Sequence, residues 1–432
     1  MLTDWDRRYR RAGHVTWTEA DLVMVWAGVV EHVYTKPKGP NKIPSCGNSF
    51  HDPRLVTVYD PVREVWGEVT TAGDVPPPTA APAAATDSCQ TLFVFGGLVM
   101  RQTVGGYYQY DSSASLYSLD LGTRQWTLLR PGGDRPPPSE KGVSWHHGDT
   151  FYVFGGFCWD GEVLVRGRAD YEVTRDGQTG GAWHNALTSY SPRTRHYTRH
   201  TLTGHVPCAR AGAAACVTDN KVFIFGGRSR QRRLNDLFCI DLQTMTSTAV
   251  HLATSPDMFG PPSTSEPSPR SLHSLTSDGA GRLVVYGGLG QLSAPLNDCW
   301  LLELDTLLWQ EQDLGYDHGE VRCWHSAVLI KGEILVHSGL TQEHYLTRLD
   351  LDDHCQDILR LIFGASSLQK LALDSVIDFL GSKDQHQITE MIESLPSMLK
   401  KSVLTRYCKN NFQASETDTE TDYSRSRLHS GI

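Results

Sequence analysis

Phe223-Ile224-Phe225-Gly226-Gly227-Arg228-Ser229-Arg230-Gln231-Arg232-Arg233-Leu234-Asn235-Asp236-Leu237-Phe238-Cys239-Ile240 reads as an apolar strand, a glycine doublet, an arginine-rich turn and a second strand. The frame recurs. Glycine doublets close apolar strands at Phe95-Gly96-Gly97, Phe154-Gly155-Gly156 and Tyr286-Gly287-Gly288, and degenerate copies stand at Trp26-Ala27-Gly28 and His337-Ser338-Gly339. From Gly28 to Gly339 the second members of these pairs lie 51 to 71 residues apart. A frame that repeats belongs to the architecture. The arginines do not repeat, which makes them the first candidates for function.

Within a unit each residue type has a physical task. Leu92-Phe93-Val94-Phe95 is apolar throughout, as a strand buried between neighbouring sheets must be. The doublet turns the chain where a Cβ would clash. A later strand, Leu116-Tyr117-Ser118-Leu119-Asp120, leads through a turn to Trp126, an aromatic that fills the gap between sheets. Asp60 to Trp66 and Asp305 to Trp309 repeat that pattern, and Tyr197 and Ser247 take the tryptophan's place in the third and fourth units. Kelch repeats have a period of about 50 residues, so the spacing reads as six kelch units with long loops. The expected fold is all-β: a six-bladed kelch β-propeller over residues 12–360, closed so that most sheet edges disappear. The openings Gly13-His14, Arg270-Ser271-Leu272-His273-Ser274 and Arg322-Cys323-Trp324-His325-Ser326 precede the glycine strands and are expected near a central channel.

Residues 1–11 form an N-terminal segment ahead of the repeats. After about Leu351 the period turns helical. Ser366-Ser367 can cap a helix from Leu368 to Leu380. Its stripe of Leu368, Leu371, Ala372, Val376, Phe379 and Leu380 is flanked by Leu373 and Ile377, and a face that broad points to a partner protein. Leu395-Pro396-Ser397-Met398-Leu399 starts another helix, with proline near its first turn. A short α-helical segment is therefore assigned to 366–408. A disordered tail follows at 409–432, where Ser-Glu-Thr-Asp-Thr-Glu-Thr-Asp is too polar to bury a core.

A net charge of -9 argues against general binding to nucleic acid or an anionic membrane. No apolar run reaches the roughly 18 residues of a membrane span. The ten cysteines form no C-x-x-C pair, and the N-terminus is charged where a secretory signal is apolar. The expected compartment is therefore nucleus and cytoplasm. His146-His147 and His354-Cys355 lack further ligands at metal spacing, and no nucleophile elbow or Walker loop occurs. No catalytic set, metal or cofactor is read, and the chain is expected not to be an enzyme. The arginines remain, with Arg228 directly after the doublet and Arg230, Arg232 and Arg233 within the same turn. Guanidinium groups this close repel one another unless an anion sits between them, and a carboxylate matches their fork. A solvated loop paired with neighbouring acidic residues is the other reading. Spacing alone does not choose between the two.

With repeats and helical tail laid out, the chain resembles the kelch-domain substrate receptors of cullin-2 RING ubiquitin ligases over roughly residues 12–405. The resemblance rests on Val25-Trp26-Ala27-Gly28, Gly73-Asp74-Val75-Pro76-Pro77, Gly226-Gly227-Arg228 with Arg233-Leu234-Asn235-Asp236-Leu237, and Arg322-Cys323-Trp324-His325. Ser367 to Ile377 resembles the elongin-binding box, which implies that Leu368, Leu371, Ala372 and Val376 contact elongin B/C. Leu395, Pro396 and Leu399 resemble the cullin-2 box. Such receptors read substrate C-termini, typically a terminal Gly-Gly, in the central pocket. By resemblance Arg228, Arg233 and Ser271 hold the terminal carboxylate, and Lys141, Phe157, Trp183 and Leu272 form the pocket wall. Leu272 stands where the family has an aromatic, Phe157 where it has a tyrosine, and Ala372 where a Cys or small residue is usual. A kelch scaffold that binds a folded partner without a ligase is the alternative. Self-association through the Ser430-Gly431-Ile432 end is a further reading, because its penultimate glycine resembles the ligand.

Overall fold

The computed structural model describes residues 9–35, 45–102, 108–161, 164, 171–177, 180–251, 265–314, 319–342, 354–355 and 357–363. The chain divides into two compact units, and the first, Met1–Asp313 with His318–Leu361, holds every described strand. The helices expected over 366–408, with the elongin-box and cullin-box residues, lie outside the described residues, as does the tail.

Among the described residues six antiparallel sheets follow one another along the first unit, the fourth and fifth bridged through Arg270–Ser271, and the hairpins Val29–Thr35 with Ser45–Phe50 and Leu98–Gln102 with Tyr108–Ser112 stand outside them. The first is Val15–Glu19, Leu22–Trp26, Leu55–Asp60 and Val65–Thr70. The second is Ala83–Thr86, Thr91–Phe95, Leu116–Asp120 and Gln125–Leu129. The third is Val143–His147, Thr150–Cys158, Ala182–Ser191 and His196–His200. The fourth is Ala214–Thr218, Lys221–Ser229, Arg232–Asp241 and Thr246–His251. The fifth is Ser274–Ser277, Arg282–Gly290, Pro295–Glu303 and Leu308–Gln312. The sixth has three strands among the described residues, Ser326–Ile330, Glu333–His337 and Ile358–Leu361.

The opening strands of successive sheets touch in order, and that of the sixth touches that of the first, so the sheets form a closed ring. Apolar faces are buried between neighbours. Trp26 of the first sheet packs on Trp126 of the second at 4.9 Å, and Phe225 of the fourth on Trp309 of the fifth at 5.3 Å. Val23 and Tyr59 pack with Ile330 and Leu335 where the ends of the ring meet. Each fully buried large side chain contributes about 1.5–3 kcal/mol. Tyr197, in the tryptophan's place, is buried beside Tyr190 and Phe93, and Ser247 is buried in the fourth sheet.

The glycine doublets stitch the sheets together. The second member's N–H donates to a carbonyl at the opening of the next sheet: Gly28 to Thr79, Gly97 to Ser139, Gly156 to Arg210, Gly288 to Arg322, and Gly339 around the closure to Arg11. Four sheet openings carry a buried arginine that anchors the third strand of its own sheet, Arg11 through Thr57 Oγ1 at 2.7 Å and the other three through an aspartate. Arg210 holds Asp236 at 2.5 and 2.8 Å, Arg270 holds Asp298 at 2.7 and 2.6 Å, and Arg322 holds Asp357. The Leu-Asn-Asp-Leu of the quoted stretch is thus the partner of an arginine 26 residues earlier.

Candidate functional site

At the centre of the ring the sheet openings are linked by a circuit of backbone. Gly13, Ala81, Lys141, Gly212, Leu272 and Trp324, one from each sheet opening, all have φ between +50° and +64°. The N–H of Gly13 donates to Trp324 O, Trp324 to Leu272, Leu272 to Gly212, Gly212 to Lys141, Lys141 to Ala81, and Ala81 back to Gly13 O, at 2.6–3.0 Å. Left-handed backbone costs a non-glycine residue about 1–2 kcal/mol, and four of the six residues bear that cost. The closed circuit satisfies six donors and six acceptors that would otherwise be buried unpaired.

One residue before each ring member, a second tier pairs with the residue after each doublet. The pairs are Ala12 with Val29, Ala80 with Leu98, Glu140 with Phe157, Ala211 with Arg228, Ser271 with Leu289, and Cys323 with Leu340. Ala12, Val29, Ala80, Leu272, Leu289, Cys323, Trp324 and Leu340, from four different sheets, join one buried apolar cluster, so the tier faces the axis. Of its twelve members only Glu140 and Arg228 are charged.

The residues assigned by resemblance to the pocket fall on three consecutive sheets of this centre. Arg228 and Arg233 are direct cross-strand partners on the fourth sheet, which puts both side chains on one face. Like charges so placed repel. Arg233 is buried, and its Nε donates to Ser271 Oγ at 3.1 Å, Nη1 to Gln291 O at 3.2 Å and Nη2 to Ser293 Oγ at 3.2 Å. Arg228 is half-buried, and its Nε donates to Arg230 O at 3.0 Å. Arg230 and Arg232 are exposed. On the third sheet Phe157 and Trp183 are cross-strand partners in edge contact at 5.1 Å, packed with Ala211, the residue bridged to Arg228. Leu272 of the fifth sheet sits over Gly212, its Cδ2 3.0 Å from where a Cβ would stand. Lys141 pairs with Glu140 at 2.6 Å, and its Nζ lies 5.2 Å from the centre of the Trp324 ring.

A scan against protein families matches the KLHDC2/KLHL20/DRC7 Kelch-repeats domain over residues 39–173 and 167–363. The chain belongs to this kelch-repeat family. Kelch domain-containing protein 2 of Bos taurus is 26% identical over 409 residues, covering 94% of this chain and 92% of the relative. Kelch domain-containing protein 1 of Mus musculus is 28% identical over 405 residues, covering 92% and 90%. The solved structure of YjhT superposes with a TM-score of 0.55 over 82% of this chain and 95% of that one, at 15% identity, a likeness of fold alone.

Three residues of this kelch centre escape a reading by motif. Gln291 and Ser293 come from the turn after the fifth doublet, and Gln291 also exchanges hydrogen bonds with the Arg233 backbone. Glu140 is the third. Trp324 lies in an opening expected near the channel, and aligning the six unit openings places it in register with Leu272 and Lys141.

Proposed function

We propose that this kelch-repeat protein is a non-catalytic receptor whose six-sheet ring is a β-propeller that takes the free carboxylate of a protein C-terminus between Arg228, Arg233 and Ser271. The observation that carries the reading is the Arg228–Arg233 cross-strand pair with Arg233 Nε on Ser271 Oγ. Two guanidinium groups aligned on one face, one of them buried, make a preorganised anion site. A desolvated carboxylate needs that much pairing, because burying it unpaired is costly. The neighbouring Phe157, Trp183 and Leu272 are all buried, and their bulk favours residues without side chains, hence ends of the Gly-Gly type.

In the same proposal, residues 368–399 bring the captured protein to elongin B/C and cullin-2 for ubiquitin-dependent degradation in nucleus and cytoplasm. Co-purification tests this arm. The full chain should recover elongin B/C, and Leu368→Asp should lose them while peptide binding persists. Failure to recover elongin B/C, or recovery unaffected by Leu368→Asp, would make the protein a kelch scaffold instead.

A further inference from the structure

Glu140 is buried, its side chain fully excluded from solvent, and only one of its carboxylate oxygens is satisfied. Oε1 holds Lys141 Nζ at 2.6 Å, whereas Oε2 is buried with no hydrogen-bond partner. Leaving an anionic oxygen without a donor in the interior is costly, so this atom needs an explanation.

Its position supplies one. Lys141 and Trp324 are three links apart on the six-membered ring and so stand on opposite sides of it. Their side chains nevertheless meet, with Nζ over the indole. The contact therefore crosses the axis of the ring, and the Glu140 carboxylate is bonded to Nζ at that crossing. Glu140 and Phe157 exchange both backbone hydrogen bonds at 2.9 Å, and Phe157 packs beside Ala211, the partner of Arg228. The free oxygen thus belongs to the third-sheet side of the same centre whose fourth and fifth sheets carry Arg228, Arg233 and Ser271. An anion entering this centre is attracted to the arginine side and repelled from the Glu140 side. A hydrogen-bond donor on the ligand is attracted to the Glu140 side.

The geometry points to Glu140 Oε2 as the acceptor for a ligand N–H, so that the centre reads a carboxylate together with an adjacent N–H. The chemical class is an unmodified peptide end, in which the last amide N–H and the carboxylate are joined through one α-carbon. Glu140 is then a specificity-determining residue that separates peptide ends from other carboxylates. The inference rests on the carboxylate-receptor reading and adds the donor requirement to it.

The test compares three peptides of one upstream sequence on the full-length protein by isothermal titration. The first ends in Gly-Gly acid, the second in its carboxamide. The third is an acid in which glycolic acid replaces the last glycine, so that an ester oxygen replaces the N–H without added bulk. The ester-linked acid should bind about ten- to a hundredfold more weakly than the Gly-Gly acid, the usual worth of a hydrogen bond to a charged group. Glu140→Gln, which keeps the shape and the contact to Lys141 but turns an NH2 donor toward the ligand, should abolish that difference. Equal binding of the two acids to the wild-type protein overturns the inference and needs no variant. So does an ester penalty that Glu140→Gln leaves unchanged. Equal binding of acid and carboxamide overturns the receptor reading and this inference together, whereas acid preference without an ester penalty overturns this inference alone.

Discussion

Arg233 is oriented by the Ser271 hydroxyl, the Gln291 carbonyl and the Ser293 hydroxyl, each engaging a different nitrogen of the guanidinium. That arrangement fixes the plane in which it presents its charge beside Arg228. Arg228→Ala and Arg233→Ala should each weaken binding of a Gly-Gly-ended peptide by about 2–5 kcal/mol, the cost of removing one partner of a buried charge pair. Arg233→Lys should not restore it, because an ammonium on a flexible stem lacks the planar fork. Titration of the variants checks this, and losses under about 0.5 kcal/mol would return the arginines to a solvated turn. Spacing alone leaves the four arginines of the turn undivided, and only the family resemblance singles out Arg228 and Arg233. The structure separates them: Arg233 is buried, Arg228 half-buried, and Arg230 and Arg232 exposed. The division depends on Gln291 and Ser293, about sixty residues further along on another sheet, and nothing local to the turn announces them.

The strand–doublet–turn–strand element is legible because its causes are local. Continuous apolar runs and paired glycines have one physical use in a repeat of this period, and all four glycine doublets take the expected left-handed turn. Ala27 and Ser338 adopt the same φ, at 64° and 55°, which explains how the degenerate copies serve. Gly226 is stricter. Its φ is +63°, and a Cβ added there would lie 2.7 Å from the Arg270 carbonyl oxygen of the next sheet. Gly226→Ala should lower unfolding stability by more than about 1 kcal/mol, read as a fall in the denaturation midpoint, and an unchanged midpoint would contradict the close approach. The hydrogen-bonded circuit of Gly13, Ala81, Lys141, Gly212, Leu272 and Trp324 is not legible in this way. Four of its members are residue types that rarely adopt positive φ, and the conformation is imposed by neighbours on adjacent sheets.

At the scale of the whole molecule the ring is joined by backbone and by neutral imidazoles. His14 of the first sheet meets His337 of the sixth across the closure, Nε2 to Nδ1 at 3.4 Å, and Ser338 Oγ lies 3.0 Å from His337 Nε2. Around the same centre His325 reaches Ser274 Oγ at 3.0 Å. Burial pushes His184, His273 and His337 down to about 3, and His14 and His325 well below the ordinary histidine value. Arg11 and Arg322 nearby act in the same direction on His14, His325 and His337. The sign follows. Below the unfolded value of about 6.5 the unfolded chain binds protons that the native imidazoles do not. Their contribution is therefore complete above that pH and is lost as pH falls below it, for His184, His273 and His337 progressively toward about 3. Denaturation midpoints should fall markedly between pH 7.5 and 5.5, and equal midpoints would mean that these histidines are solvated. Six units and a closed ring follow from the repeats. The histidine contacts across the closure do not, because their partners are more than 300 residues apart in the chain.

The most direct test of the carboxylate clamp is isothermal titration of the full-length protein with one Gly-Gly-ended peptide as the free acid and as the carboxamide. The account predicts that the acid binds and that amidation abolishes binding, because Arg228, Arg233 and Ser271 lose the anion they are arranged to hold. Equal affinity for the two ends would contradict it.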